Sequence, residues 1–133
     1  MKQIRNKSIA VIMSSIVILT MLASQCQKED GVVYIENDTD STIYVGCRTV
    51  PFKTKDLLYE RLSPATECLP PHESSQGITI NEDNSIYCII ITESSMEKYS
   101  VPEMVESDYS DARYSFTYEQ MKALNFKIKY TGK

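Results

Sequence analysis

The chain has 133 residues, of which 42% are hydrophobic and 24% charged, with a formal net charge of −4 and four cysteines. That length suits one ordinary domain that can bury a core without a structural metal. The acidic balance excludes nucleic acid and anionic lipid surfaces as partners, because both need basic side chains to displace condensed counterions.

The first thirty residues carry the clearest signal. Lys2, Arg5 and Lys7 precede an apolar run from Ile9 to Leu22, which closes on Ala23-Ser24-Gln25-Cys26 and is followed by Gln27-Lys28-Glu29-Asp30. A basic start, an apolar stretch of about fourteen residues and small residues before a cleavage point describe a targeting peptide. A membrane span usually needs about twenty apolar residues. The segment resembles a bacterial lipoprotein export signal, in which the chain is cut before the cysteine and the cysteine thiol is fatty-acylated. Residues 1–25 are then the signal peptide and Cys26 the lipidation site; an uncleaved signal anchor is the alternative. Gln25 stands where such signals usually carry Gly, Ala or Ser. Two or more acyl chains exceed the threshold for stable anchoring, since each buried methylene contributes roughly 0.8 kcal/mol. Gln27, Lys28, Glu29 and Asp30 resemble the short acid-rich tether of Bacteroidetes lipoproteins bound for the outer face of the outer membrane, and residues 26–31 read as a hydrated leash. Loss of the leader's three basic residues brings the net charge of the exported part to about −7.

Residues 32–133 read as a single β-rich domain. Val32-Val33-Tyr34-Ile35 and Thr42-Ile43-Tyr44-Val45 flank the turn formers Asn37-Asp38-Thr39-Asp40, and this pattern predicts a hairpin. Residues 53–62 place Leu57, Leu58 and Leu62 at helical spacing, and Pro64 and Pro70-Pro71 interrupt regular structure beyond them. Residues 52–75 are therefore expected to form an irregular excursion with one or two helical turns, the loop most suited to partner contact. Gly77–Ile80 alternates as a strand before the turn 81–84, and Ile86–Ile91 is apolar at every position, as a central strand covered on both faces would be. Met96–Tyr99 and Pro102–Val105 suit short helical pieces, with Pro102 near a first helical position. Thr117-Tyr118-Glu119-Gln120 is a capping box opening a helix to Leu124, Asn125 suits its left-handed end, and Phe126–Tyr130 alternates as a last strand.

The hairpin Val33–Asn37 with Ser41–Val45, and the ending Tyr114–Tyr130, are similar to a family of small Bacteroides-type surface lipoproteins, with Phe126 where that family would carry Trp. The resemblance implies a compact, largely β envelope domain and brings no catalytic residues. The expected fold is mainly β (α+β), a small antiparallel β-sandwich-like domain with one or two short helices.

Site candidates are few. Cys88 shares a strand face with Ile86 and Ile90 and suits a core position, which leaves Cys47 and Cys68 as the expected disulfide; free thiols or a pairing with Cys88 are the alternatives. His72 is the only histidine, so neither a metal site nor a nucleophile–base pair is expected, and no cofactor is implied. Asp40-Ser41-Thr42 resembles the O-glycosylation acceptor of this bacterial group, with Ser41 as the acceptor. The function expected is a non-catalytic binding lipoprotein of the outer membrane surface, whose partner is another envelope protein or a glycan. An immunity lipoprotein that neutralises a basic protein toxin is the alternative, because charge complementarity speeds capture, and a glycan-binding accessory protein is a third reading.

Overall fold

The structure, a computed structural model, describes residues 30–59 and 66–132. In chain order these form β1 (Asp30–Asn37), β2 (Ile43–Arg48), α1 (Thr54–Tyr59), β3 (Thr66–Leu69), β4 (Ile78–Asn81), β5 (Ser85–Thr92), α2 (Glu93–Lys98), α3 (Val101–Glu106), β6 (Ala112–Thr117), α4 (Tyr118–Ala123) and β7 (Lys127–Tyr130). The fold is mainly β, with two sheets and short helices. Among the described residues there are four helices rather than one or two. None of these is long and apolar enough to cross a membrane.

The apolar run 86–91 becomes β5, flanked by β2 and β6 in an antiparallel sheet of order β3-β2-β5-β6. Side chains of a strand alternate between faces, so β5 serves two cores. Ile86, Cys88 and Ile90 point into the core shared with the second sheet, while Ile89 and Ile91 lie under Leu57 and Leu58 of α1 and Met104 of α3. The expectation of a central strand covered on both faces holds.

The second sheet has the order β4-β1-β7. The first half of β1 pairs antiparallel with β4 (Asp30↔Asn81 to Val33↔Ile78), and the second half pairs parallel with β7 (Tyr34↔Lys127 to Asn37↔Tyr130). Two expectations are corrected here. The sheets are not purely antiparallel, and β1 and β2 do not form a hairpin but lie in different sheets. The reason lies at Asn37. It is fully buried at the end of β1, and its Nδ2 donates to the carbonyls of Ser41, Leu69 and Pro70 at 2.8 to 3.1 Å. Its Oδ1 accepts from the Thr39 hydroxyl at 2.7 Å. The turn formers 37–41 thus carry the chain from one sheet to the other instead of folding it back on itself. Val33 and Ile35 of β1 and Ile43, Val45 and Cys47 of β2 meet in the shared core rather than across a ladder.

The domain also starts earlier than residue 32. Asp30 and Gly31 belong to β1 and are paired with Asn81 and Ile80, so Asp30 is strand rather than tether. Cys26, Gln27, Lys28 and Glu29 lie outside the described residues, as do Leu62 and Pro64 of the middle segment.

The C-terminal unit is shaped by its caps. Thr117 accepts from the Gln120 amide and Gln120 Oε1 accepts from the Thr117 amide, which opens α4 with a complete capping box. At its end Asn125 has φ 53°, and the amides of Asn125 and Phe126 return to the carbonyls of Lys122 and Met121. This is a Schellman closure with Asn as its left-handed residue. Phe126 is left-handed too (φ 57°), an unusual state for an aromatic residue, and its ring packs 5.5 Å from that of Tyr118.

Candidate functional site

In place of the expected Cys47–Cys68 bridge, the structure joins Cys47 to Cys88 and leaves Cys68 exposed. Register explains the correction. Cys47 faces Cys88 directly across β2 and β5, with their Cα atoms 4.2 Å apart, near the spacing of a non-hydrogen-bonded antiparallel pair. Cys68 on β3 lies opposite Tyr44, an odd number of residues from Cys47 and therefore on the other face of the sheet. The placement of Cys88 in the core does hold, since it is fully buried among Ile86 and Ile90.

His72 sits in the loop after β3, where its φ of 62° and the bond from its amide to the Asn37 carbonyl (2.9 Å) fix its backbone. Its side chain is 60% exposed. Nε2 lies 3.0 Å from Asp40 Oδ1, and Nδ1 lies 3.8 Å from Asp38. Asp38 in turn meets Lys129 at 3.4 Å. The imidazole therefore faces the carboxylates of Asp38 and Asp40. Ser41 is exposed at the same end of the molecule, and its carbonyl is held by Asn37. Among the described residues no cluster of His, Cys, Asp and Glu has the arrangement of a metal site.

The excursion 52–75 is more tightly built than its sequence suggests. Residues 66–69 are an edge strand on β2, and the segment after Pro70 is sewn to β1 by Asn37 N–Glu73 O and Ser75 N–Ile35 O bonds of 2.9 and 2.8 Å. The signal for this strand, Thr66 and Leu69 around polar residues, is too short to register beside the prolines.

A cavity lies elsewhere, on the helical layer. About 540 Å³ in volume, it is lined by Tyr99, Glu103, Met104, Glu106, Ser107 and Tyr109. Three local devices build it. Ser100 caps α3, taking the Glu103 amide on its hydroxyl while Glu103 Oε2 accepts from the Ser100 amide at 2.8 Å. The bond from the Ser100 amide foremost, and then the Ser100 hydroxyl, hold the Glu103 carboxyl below its ordinary range. Asp108 then turns left-handed (φ 50°), and the amides of Asp108 and Tyr109 bond the carbonyls of Val105 and Met104. This second Schellman closure folds Tyr109 back over Met104. Tyr99 and Tyr109 meet at 5.0 Å between centroids with their planes tilted 49°.

Asp108 and Asp111 anchor the rear of the site. Asp108 Oδ1 accepts from the Thr54 amide at 2.8 Å and pairs with Arg113 at 3.2 Å, so it ties α1 to β6. The bond from Thr54 is the main cause that keeps its carboxyl below the usual range, and the Arg113 charge adds to it. Asp111 takes the hydroxyls of Ser95 and Tyr109 on Oδ1 (2.8 and 2.9 Å) and the amide of Thr92 on Oδ2 (2.7 Å). For Tyr109, the Ser95 hydroxyl pulls the phenol downward, but burial and the neighbouring Asp111 outweigh it and hold the phenol above its ordinary value.

The electrostatics of this layer are lopsided. From Glu93 to Asp111 the chain carries Glu93, Glu97, Glu103, Glu106, Asp108 and Asp111 against Lys98 alone. One stretch of nineteen residues thus carries a net charge of −5, six acids against one lysine. A simple charge tally along the chain would have singled out this segment. A second cavity of about 380 Å³ lies between β2, β3 and the approach to β4; it is lined in part by Cys47, Glu67 and Gln76, with the Glu67 carboxylate held by the Gln76 amide.

No protein family, curated protein or solved structure matches this chain.

Proposed function

We propose that the chain is a lipid-anchored envelope lipoprotein whose exported domain is a non-catalytic binding module for another protein. Cys26 carries the acyl anchor, Gln27 to Glu29 form the leash, and the domain faces outward from the outer membrane. The observation that carries the reading is the aromatic-lined cavity of the helical layer, set within the most acidic stretch of the chain. Interfaces draw on aromatic anchors, and an acidic surface speeds encounter with a basic partner. Contacts within the domain support the non-catalytic reading. The hydroxyls of Ser95 and Tyr109 are spent on Asp111, and His72 on Asp40.

The acidity of residues 93–111 also favours the immunity reading, in which the partner is a basic toxin captured before it acts. Two measurements test the proposal. Mass spectrometry of the native protein should find residue 26 acylated and at the amino terminus. Photo-crosslinking on intact cells from a group placed at Glu97 should trap a protein. An unmodified Cys26 still joined to Gln25 overturns the envelope assignment, and crosslinks to glycan alone overturn the protein-partner assignment.

A further inference from the structure

We propose that the cavity between Tyr99 and Tyr109 is a receptor for an arginine side chain presented by the partner protein, an inference that rests on the binding-module reading above. Its walls and its rim ask for different things of one ligand. Tyr99 and Tyr109 supply aromatic surface over the buried Met104, while the acidic residues Glu103 and Glu106 line the same cavity, Glu103 with its carboxylate engaged by the Ser100 amide. A group that satisfies both is an aliphatic stem ending in a cation. A guanidinium suits the site better than an ammonium, because it is planar, stacks on a ring and offers a fork of donors to a carboxylate.

Two further observations point the same way. The Tyr99 ring already draws a cation, since Lys98 Nζ lies 5.2 Å from its centroid. Glu106 stands in the last turn of α3, where the exposed carbonyl ends favour a positive charge, and that turn contains no basic residue. An acid at that end of a helix is locally unfavourable, and an incoming cation relieves it. Lys98 is the cation nearest the ring, and it opposes the ligand by competition or repulsion.

The test uses the full acylated chain in a neutral detergent, with 13C-methyl methionine as the reporter and the Met104 signal assigned by Met104→Leu. The probes are acetyl-(Gly-Arg)3-amide and its lysine counterpart of equal charge. The expected result is a saturable shift of the Met104 methyl with the arginine peptide, at least threefold weaker binding with the lysine peptide, and loss of affinity on raising salt from 50 to 500 mM. Glu106→Lys should weaken binding fivefold or more, Tyr99→Leu about threefold, and Lys98→Met should strengthen it. Glu106 and Lys98 are exposed, so these variants leave the fold unchanged by circular dichroism. An unmoved Met104 methyl, equal affinity for the two peptides, or full binding by Glu106→Lys overturns the inference. If cells still yield a crosslinked protein partner under those outcomes, the binding-module reading stands and only the arginine pocket falls.

Discussion

The ring of Phe126 occupies the place where a Cβ on Gly31 would have to be, so the first strand of the domain is glycine at that position because of a side chain ninety-five residues later. Glycine there is a matter of close approach, and it lets the left-handed Phe126 lay its ring across the start of β1.

Gly31→Ala should therefore destabilise the domain by about 1–3 kcal/mol, the usual cost of overpacking a filled site. Chemical denaturation monitored by circular dichroism measures it. Pairing the change with Phe126→Leu should recover part of the loss, since the two side chains compete for one space; strict additivity of the two changes would refute the contact.

Asn37 gives a second test. Its side chain satisfies three carbonyls and takes one hydroxyl while fully buried. Asn37→Leu keeps much of the volume but removes the buried donor: the Ser41 and Pro70 carbonyls keep bonds from the Thr39 hydroxyl and the Glu73 amide, while the Leu69 carbonyl loses its side-chain partner, at a cost of about 1–3 kcal/mol. Amide exchange should quicken at Asn37, His72 and Ser75, because the segment after β3 is held to β1 through this residue. Unchanged exchange there would argue against the hub.

The disulfide is tested by peptide mapping without reduction, which should recover the Cys47 and Cys88 peptides joined and Cys68 free to alkylate. For a sequence separation of 41 residues the chain-entropy account gives about 4 kcal/mol of stabilisation. Cys47→Ala with Cys88→Ala should lower the unfolding midpoint accordingly, whereas Cys68→Ala should leave it nearly unchanged.

Asp108 predicts a pH dependence. Its carboxyl is held below the ordinary range by the Thr54 amide and Arg113. A depressed folded-state pKa means that its contribution is complete above the unfolded value near 3.9 and fades as pH falls through the lower folded value. Asp108→Asn should thus cost stability at pH 7, and the gap to the parent protein should narrow as pH falls below about 3.9. Because the side chain is 41% exposed, solvent screening keeps the effect small. A gap that widens on acidification would reverse the assignment.

Much of the local structure was legible because it depends on neighbours in sequence. The capping box at Thr117, the left-handed Asn125 and the doubly covered strand 86–91 are all written within a few residues and appear as expected. What was not legible depends on pairing. Turn-forming residues 37–41 look like a hairpin, and only the long-range bonds of Asn37 to Leu69 and Pro70 reveal a crossing between sheets. The cysteine partners turn on strand parity, which is invisible until β3 is recognised as a strand. The cavity of the helical layer escaped notice because its two tyrosines are brought together by a left-handed Asp108, a position where sequence leads one to expect glycine.

The parallel pairing of β1 with β7 has a consequence for the order of events during folding. β1 can complete its ladder only when Lys127 to Tyr130 arrive, so the smaller sheet waits for a segment about ninety residues downstream. Contacts between such distant positions slow folding, because the loop entropy is lost before the pairing is gained. A chain whose paired strands stand so far apart stays pliable until both have been made.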